Sequence, residues 1–243
     1  MCTFTYVPLI EGGCIISTNR DENTSRLAAL KPHEYVINNH TYYFPKDTKA
    51  GGTWIATSKD YTLCLLNGGD EKHKKKDAYR KSRGLILLEI MEALIVGELE
   101  PTKPIKLNGI EPFTLFIYRH QKPFFCKWTH SENETMVLKI LDLDKPHIHS
   151  STTLYDKSIR DKREEWFYAY LNTHQVNGFK DMIKFHTETD KENKDFGLQI
   201  DRMGITKTLS LTAVEISHKV HLMLYNDFIT NKEHLINCKV ANV

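Results

Sequence analysis

The sequence predicts an α+β fold built on mostly antiparallel sheets. Strand-like runs come in clusters instead of alternating one by one with helices, so the strict βαβ order of a parallel sheet is missing. Short turns rich in Gly, Asn or charged residues join those runs, as hairpins require. Two stretches after residue 157 repeat apolar residues at helical spacing, and each stripe needs a sheet to cover.

Residues 2–7 and 14–18 read as two short strands around a turn at Gly12-Gly13, the second running out into the polar Asn19-Arg20-Asp21-Glu22. A loop-rich stretch is expected to residue 50. Gly51-Gly52 then leads into strands at 53–57 and 61–66, the latter ending at Asn67-Gly68-Gly69. Residues 71–76 are charged and solvated, and Ser82 has the side chain of an N-cap for a helix through residue 94. Strands at 113–118, 124–128 and 136–141, rich in β-branched and aromatic residues, form a meander. Ile159, Trp166, Phe167, Tyr170 and Leu171 mark a helix over 158–171, and a second helix covers 179–185. A hairpin of 208–216 and 220–225 closes the chain, its first strand alternating Leu209, Leu211 and Ala213 with Ser210, Thr212 and Val214.

The 243 residues fit one domain spanning 1–243, and 40% hydrophobic with 26% charged residues excludes disordered and collagen-like classes. Thirty-three Lys and Arg against 31 Asp and Glu leave +2, which lacks the one-signed field of a nucleic-acid binder. The most apolar run, 85–96, is broken by Glu89 and Glu92 and is too short for a membrane span. Residues 1–5 lack the basic and apolar regions of a secretory signal, and five scattered Cys without CxxC spacing indicate no disulfide framework. A cytoplasmic location is expected. Homo-oligomer formation is left open.

Cys2 is the most informative residue. Removal of Met1 would leave a thiol and a free α-amine on one residue. With a model thiol pKa of about 8.5 and an α-amine of about 7.7–8.0, the amine can take the thiol proton. Read together with Thr18-Asn19-Arg20-Asp21-Glu22 and Gly51-Gly52-Thr53-Trp54, the chain resembles the NRDE family, also called the transport and Golgi organisation protein 2 family. Asn67 closing a strand, Ser82-Arg83-Gly84 opening a helix and Gly204-Ile205-Thr206-Lys207-Thr208 before the last hairpin extend the likeness over most of the chain.

That family is similar to N-terminal-nucleophile (Ntn) hydrolases, so the resemblance implies their αββα sandwich of two stacked antiparallel sheets between helix layers. It also implies roles. Cys2 is the nucleophile. Asp21 matches the Asp that, in choloylglycine-type (bile-salt and penicillin V) hydrolases, follows the second strand and holds the α-amine. Asn67 matches their oxyanion-hole Asn. Arg20 is a candidate cation to lower the thiol pKa and offset Asp21, though neighbouring strand residues face opposite ways, so Asp21 ranks first. Trp54 is core or pocket wall. Arg83 is placed to pair with a substrate carboxylate or with Asp21.

Two departures stand out. Relatives carry a Ser-Asn pair before the long helix, where this chain reads His149-Ser150-Ser151-Thr152, leaving Ser151 as a substrate contact. Lys207 stands where the family places an Arg, keeping charge without the guanidinium fork. His147 and His149 share a strand face, but no third ligand lies at a recognisable spacing, so neither metal nor other cofactor is expected. The expected function is an amidohydrolase acting on a small linear amide through an acyl-cysteine, with no nucleic-acid partner and no membrane span. The rival is a non-catalytic carrier of the same fold holding a lipid-like or haem-like molecule.

Overall fold

A computed structural model describes residues 3–97, 105–131 and 136–238. The elements in chain order are β1 (Thr3–Pro8), β2 (Cys14–Asn23), β3 (Leu30–Ile37), β4 (His40–Lys46), β5 (Ile55–Ser58), β6 (Tyr61–Asn67), α1 (Arg83–Ile95), β7 (Phe113–Arg119), β8 (Phe124–His130), β9 (Met136–Ile140), β10 (His147–Ser150), α2 (Lys157–Thr173), α3 (Phe179–Glu188), β11 (Asp201–Arg202), β12 (Thr206–Ile216), β13 (His221–Asp227) and β14 (Lys232–Asn237). They form two sheets whose strand pairs are antiparallel. The first runs β10-β1-β2-β12-β13-β14 with β11 added to β12, and the second runs β3 to β9 in sequence order.

The layering follows from which face each strand makes apolar. Phe4 and Tyr6 of β1 and Cys14 and Ile16 of β2 point at the second sheet, where they meet Phe116 and Phe125 in the central core. Phe4 stacks on Phe116 at a centroid distance of 3.9 Å. The other face of β1 and β2, with Val7 and Ile15, packs under Phe167 of α2 and Met182 and Phe185 of α3. Helix α1 covers the far face of the second sheet through Ile86, Leu87, Ile90 and Met91. Ser82 caps α1 by accepting from the Gly84 N–H at 3.3 Å, and Asp156 caps α2 by accepting from Ile159 at 3.0 Å. The result is the four-layer αββα arrangement of the Ntn fold.

Three expectations need correction. The stretch before residue 50 holds the hairpin β3–β4, hidden because β3 is an edge strand with mostly exposed side chains and Pro32 at an irregular step in its pairing. The sequence likewise does not predict β14, and it hints at β10 only through the strand face shared by His147 and His149; both are sheet edges with polar sequences, Lys-Glu-His-Leu-Ile-Asn and His-Ile-His-Ser. Strand β2 continues to Asn23, because β12 pairs with it as far as Thr206↔Asn23 after β1 has left off at Thr3↔Asn19. Asn19 to Glu22 are therefore strand residues, and the first three are buried rather than part of a charged turn.

Candidate functional site

Arg20 and Asp21 occupy the middle of the first sheet, each 3% exposed, and strand alternation sends them to opposite faces. Strand β12 passes them with an irregular step: Thr208 pairs with Asp21 and Ser210 with Arg20, leaving Leu209 between as a bulge. Asp21 turns toward the α2 layer. Its Oδ1 accepts from Thr208 Oγ1 at 2.5 Å and its Oδ2 from the Tyr155 hydroxyl at 2.8 Å. Thr208 Oγ1 also accepts from the Ile200 N–H at 2.9 Å, which fixes the hydroxyl as a donor to the carboxylate.

Two guanidinium groups lie over the Tyr155 ring, Arg163 at 3.7 Å and Arg202 at 5.2 Å from its centroid. Arg163, from α2, is fully buried. Its Nη1 donates to Thr3 Oγ1 at 2.5 Å, Nε and Nη2 donate to the Phe196 carbonyl at 3.3 and 3.1 Å, and Nη2 also donates to Gly197. One side chain thus ties α2 to the start of β1, to the 196–197 turn and to the ring that holds Asp21. Cys2, the residue before Thr3, lies outside the described residues.

Arg20 turns the other way, toward the second sheet. Its guanidinium lies over the Trp54 ring at 4.9 Å and Nη2 donates to Asp47 Oδ2 at 3.2 Å. Asp47 also accepts from Arg26 at 3.2 Å and from the Ala50 N–H at 2.7 Å. Burial pushes the Asp47 carboxyl up, but the Ala50 N–H, Arg26 and Arg20 together hold it below the usual carboxylate range. These residues line a cleft of about 550 Å³ whose far wall is the start of α1, Ser82 to Gly84. Arg83 is held there by Glu111, 3.0 Å from Nη2, and by the Pro112 carbonyl, 3.1 Å from Nη1.

Asn67 ends β6 and borders both this cleft and a smaller pocket of about 190 Å³ beside His149 and Ser150. Its carbonyl accepts from Ser151 Oγ at 2.7 Å; the next two carbonyls, Gly68 and Gly69, accept from Thr114 Oγ1 and Thr152 Oγ1, each at 3.0 Å. Gly68 has φ +90°, and a Cβ there would strike the Thr152 and Thr153 side chains, so the turn demands glycine. His149, packed on Phe116 at 4.9 Å, has its imidazole pKa lowered to about 3 by burial and then by Lys127 and His147.

The structure brings Arg20, Trp54, Arg83 and Asn67 to one cleft and puts Ser151 behind Asn67. Asp21 is on the opposite face of β2, so Arg83 pairs with Glu111 and not with Asp21. Lys207 stands outside the cleft, where its amine meets Asp201 at 2.8 Å on the sheet surface. Among the described residues, no cluster of His, Cys, Asp or Glu is placed to hold a metal ion, and no helix is long and apolar enough to cross a membrane. Cys14, Cys64, Cys126 and Cys238 are buried, and burial pushes the last three thiols up to about 12 and Cys14 higher still.

Residues 6–236 match the family described as Transport and Golgi organisation 2. The chain belongs to that family. A search of curated proteins returns no match. Among solved structures, the chain is similar to the Caenorhabditis elegans N-acylethanolamine-hydrolyzing acid amidase (NAAA) ortholog, with TM-score 0.52 and 13% identity over 88% of this chain and 92% of that one. At that identity the likeness establishes the shared Ntn fold.

In this Transport and Golgi organisation 2 family member, sequence reasoning missed Tyr155, Arg163, Asp47 and Glu111. Arg163 had a readable cue: it stands at the i+4 step between Ile159 and Phe167, on the apolar stripe of α2, where a charge is out of place unless it is bonded. Tyr155, Asp47 and Glu111 lie in connecting segments, whose approach to β2 and α1 is a matter of tertiary packing.

Proposed function

We propose that the chain is an N-terminal-cysteine amidohydrolase that cleaves a small linear amide. The observation that carries this reading is Asp21, a buried carboxylate clamped by Thr208 and Tyr155 and linked through Tyr155 and Arg163 to Thr3, the chain neighbour of Cys2. A carboxylate in that position suits an α-amine set free by removal of Met1. The Cys2 amine takes the thiol proton, Sγ adds to the amide carbonyl, and the same amine passes the proton to the leaving nitrogen. Water, deprotonated by the amine, then cleaves the thioester, releasing the acid and restoring the thiol.

Asn67, at the border of the two cavities, is the proposed oxyanion donor, with Gly68 and Gly69 allowing close backbone approach. Arg20 on the cleft side favours the thiolate. Trp54 and Arg83 line the substrate cleft, and Ser151, on the wall of the smaller pocket, supports Asn67 through its carbonyl and is the proposed substrate contact on that side. Lys207, tied to Asp201, has no part in this scheme. The amide hydrolysis for which the NAAA ortholog is named supports the reaction class.

The test is an intact mass of protein made in cells with normal methionine aminopeptidase, then mapping of the first cysteine to react with a limiting alkylating agent at neutral pH. The reading expects Met1 removed and Cys2 modified well before the four buried cysteines, and Cys2→Ala without turnover across an amide panel. Retained Met1 would leave Cys2 without its base and sink the mechanism. A second reading, a carrier of the same fold without turnover, draws on Ser150-Ser151, which supplies no Asn amide beside Asn67. It expects Cys2→Ala to keep its ligand.

A further inference from the structure

The motifs Gly51-Gly52-Thr53-Trp54 and Ser82-Arg83-Gly84 have no part in the chemistry above except as cleft wall, yet the fold joins them into one feature. A Cβ on Gly52 would strike the backbone of Gly84 and Leu85, and a Cβ on Gly84 would strike that of Thr53. The Thr53 N–H donates to the Gly84 carbonyl at 3.3 Å. Two glycines facing each other let the Trp54 segment come up against the first turn of α1 with no side chain between them.

What this close approach assembles is electropositive. The N-terminus of α1 opens on the cleft with no acidic residue in its first turn. Arg83 stands on that turn, and Arg20 faces it from β2, with a single described bond, to Asp47, spending one N–H of its fork. Around the cleft five cationic side chains meet three carboxylates. Trp54 is 3% exposed, and its buried indole N–H has no acceptor among the described residues. A buried donor left over beside an underused guanidinium and a helix N-terminus is what a site for an incoming acceptor looks like.

We propose that this cleft binds an oxyanion, a carboxylate or phosphate group carried by the ligand, between Arg20, Trp54 and the Arg83 end of α1. As a statement about substrate it rests on the hydrolase reading and narrows it to amides with an anionic group. The binding site itself stands whether or not turnover occurs. A plain hydrocarbon chain would leave these donors unpaired and is a poor fit.

The test uses the full-length Trp128→Phe/Trp166→Phe variant, in which Trp54 is the one remaining tryptophan. It is titrated with sodium glutarate and with inorganic phosphate at constant ionic strength, against sodium chloride and the neutral analogue glutaramide. The expected result is a saturable change in Trp54 emission with at least one oxyanion, at least about 10-fold tighter than with glutaramide, and weakened about 10-fold or more by Arg83→Gln. The tighter of the two oxyanions identifies the group as carboxylate or phosphate. If Arg83→Gln does not fold, Lys49→Gln on the opposite rim replaces it, with an expected weakening of about 3-fold. No saturable response beyond chloride, an equal response to glutaramide, or unchanged affinity in the folded rim variant overturns the proposal. The same titration on Cys2→Ala separates the two readings. Oxyanion binding without turnover of any amide by the parent protein sinks the hydrolase alone, whereas turnover of neutral amides without oxyanion binding sinks this inference alone.

Discussion

Replacing Arg163 by Met measures how far one buried cation holds the site together. The wild-type guanidinium makes four hydrogen bonds to three acceptors, Thr3 Oγ1 and the Phe196 and Gly197 carbonyls, with no carboxylate among them. Methionine fills much of the volume but donates nothing, so two carbonyls and a hydroxyl lose their cationic donor. Hydrogen bonds to a charged group contribute about 1.5–3 kcal/mol each. Against this, removing a buried charge returns several kcal/mol of desolvation. The net is a loss of about 3–5 kcal/mol, a large share of the roughly 5–15 kcal/mol of a whole domain. For a chain of this size that lowers Tm by roughly 6–20 °C. Arg163→Lys keeps the charge and a single reach and falls about midway. Calorimetry and urea unfolding read both variants. A Tm within about 3 °C of wild type, with the urea midpoint unchanged, would refute the view that α2, β1 and the Tyr155 ring hang on this side chain.

Three further outcomes are expected. Gly52→Ala forces its methyl into the Gly84 and Leu85 backbone, so stability should fall by about 1–3 kcal/mol in urea unfolding, with weaker oxyanion binding in the titration above. Tyr155→Phe removes one of the two hydroxyl donors described on Asp21 and should cost about 1–2 kcal/mol by the same measurement, while changing the pH profile of Cys2 alkylation. His186, against Thr5 and Arg163, and His221, against Thr57 and His120, have pKa values lowered to about 3, first by burial and then by the neighbouring cation or imidazole. Their folded values lie below the unfolded value of about 6.5, so their contribution is complete above that pH. It is lost as pH falls toward 3, by up to about 1.4 kcal/mol per imidazole per pH unit. His221→Gln should flatten that acid limb in a Tm-against-pH series.

The sequence carried the fold wherever a strand had one face in the central core. Phe4 and Tyr6, or Phe113 to Tyr118, announce themselves by aromatic and β-branched content. It was silent on β3 and β14, since an edge strand half in water needs no apolar alternation. At the site, the residues carried by short motifs were legible, and Arg20, Trp54, Asn67 and Arg83 do come together. What could not be read was direction. Which of the neighbours Arg20 and Asp21 faces the cleft and which the α2 layer depends on what each side of β2 packs against, and that is fixed by tertiary packing alone. Nor could spacing reveal that Asp47 and Glu111, far apart in the chain, each take up one edge of a cleft guanidinium.

The hydroxyls on Asn67, Gly68 and Gly69 bear on how the molecule breathes. Ser151 and Thr152 follow β10 of the first sheet and Thr114 lies on β7 of the second, so three consecutive peptide carbonyls are stitched to both sheets at once. Opening that turn would break all three bonds together, which places it at the high-energy end of local unfolding. The other rim of the cleft, toward residues 71–80, is by contrast mostly exposed and irregular. Amide exchange should divide the two: slow at Gly68, whose N–H is bonded to the Pro112 carbonyl at 3.0 Å, and fast across 71–78.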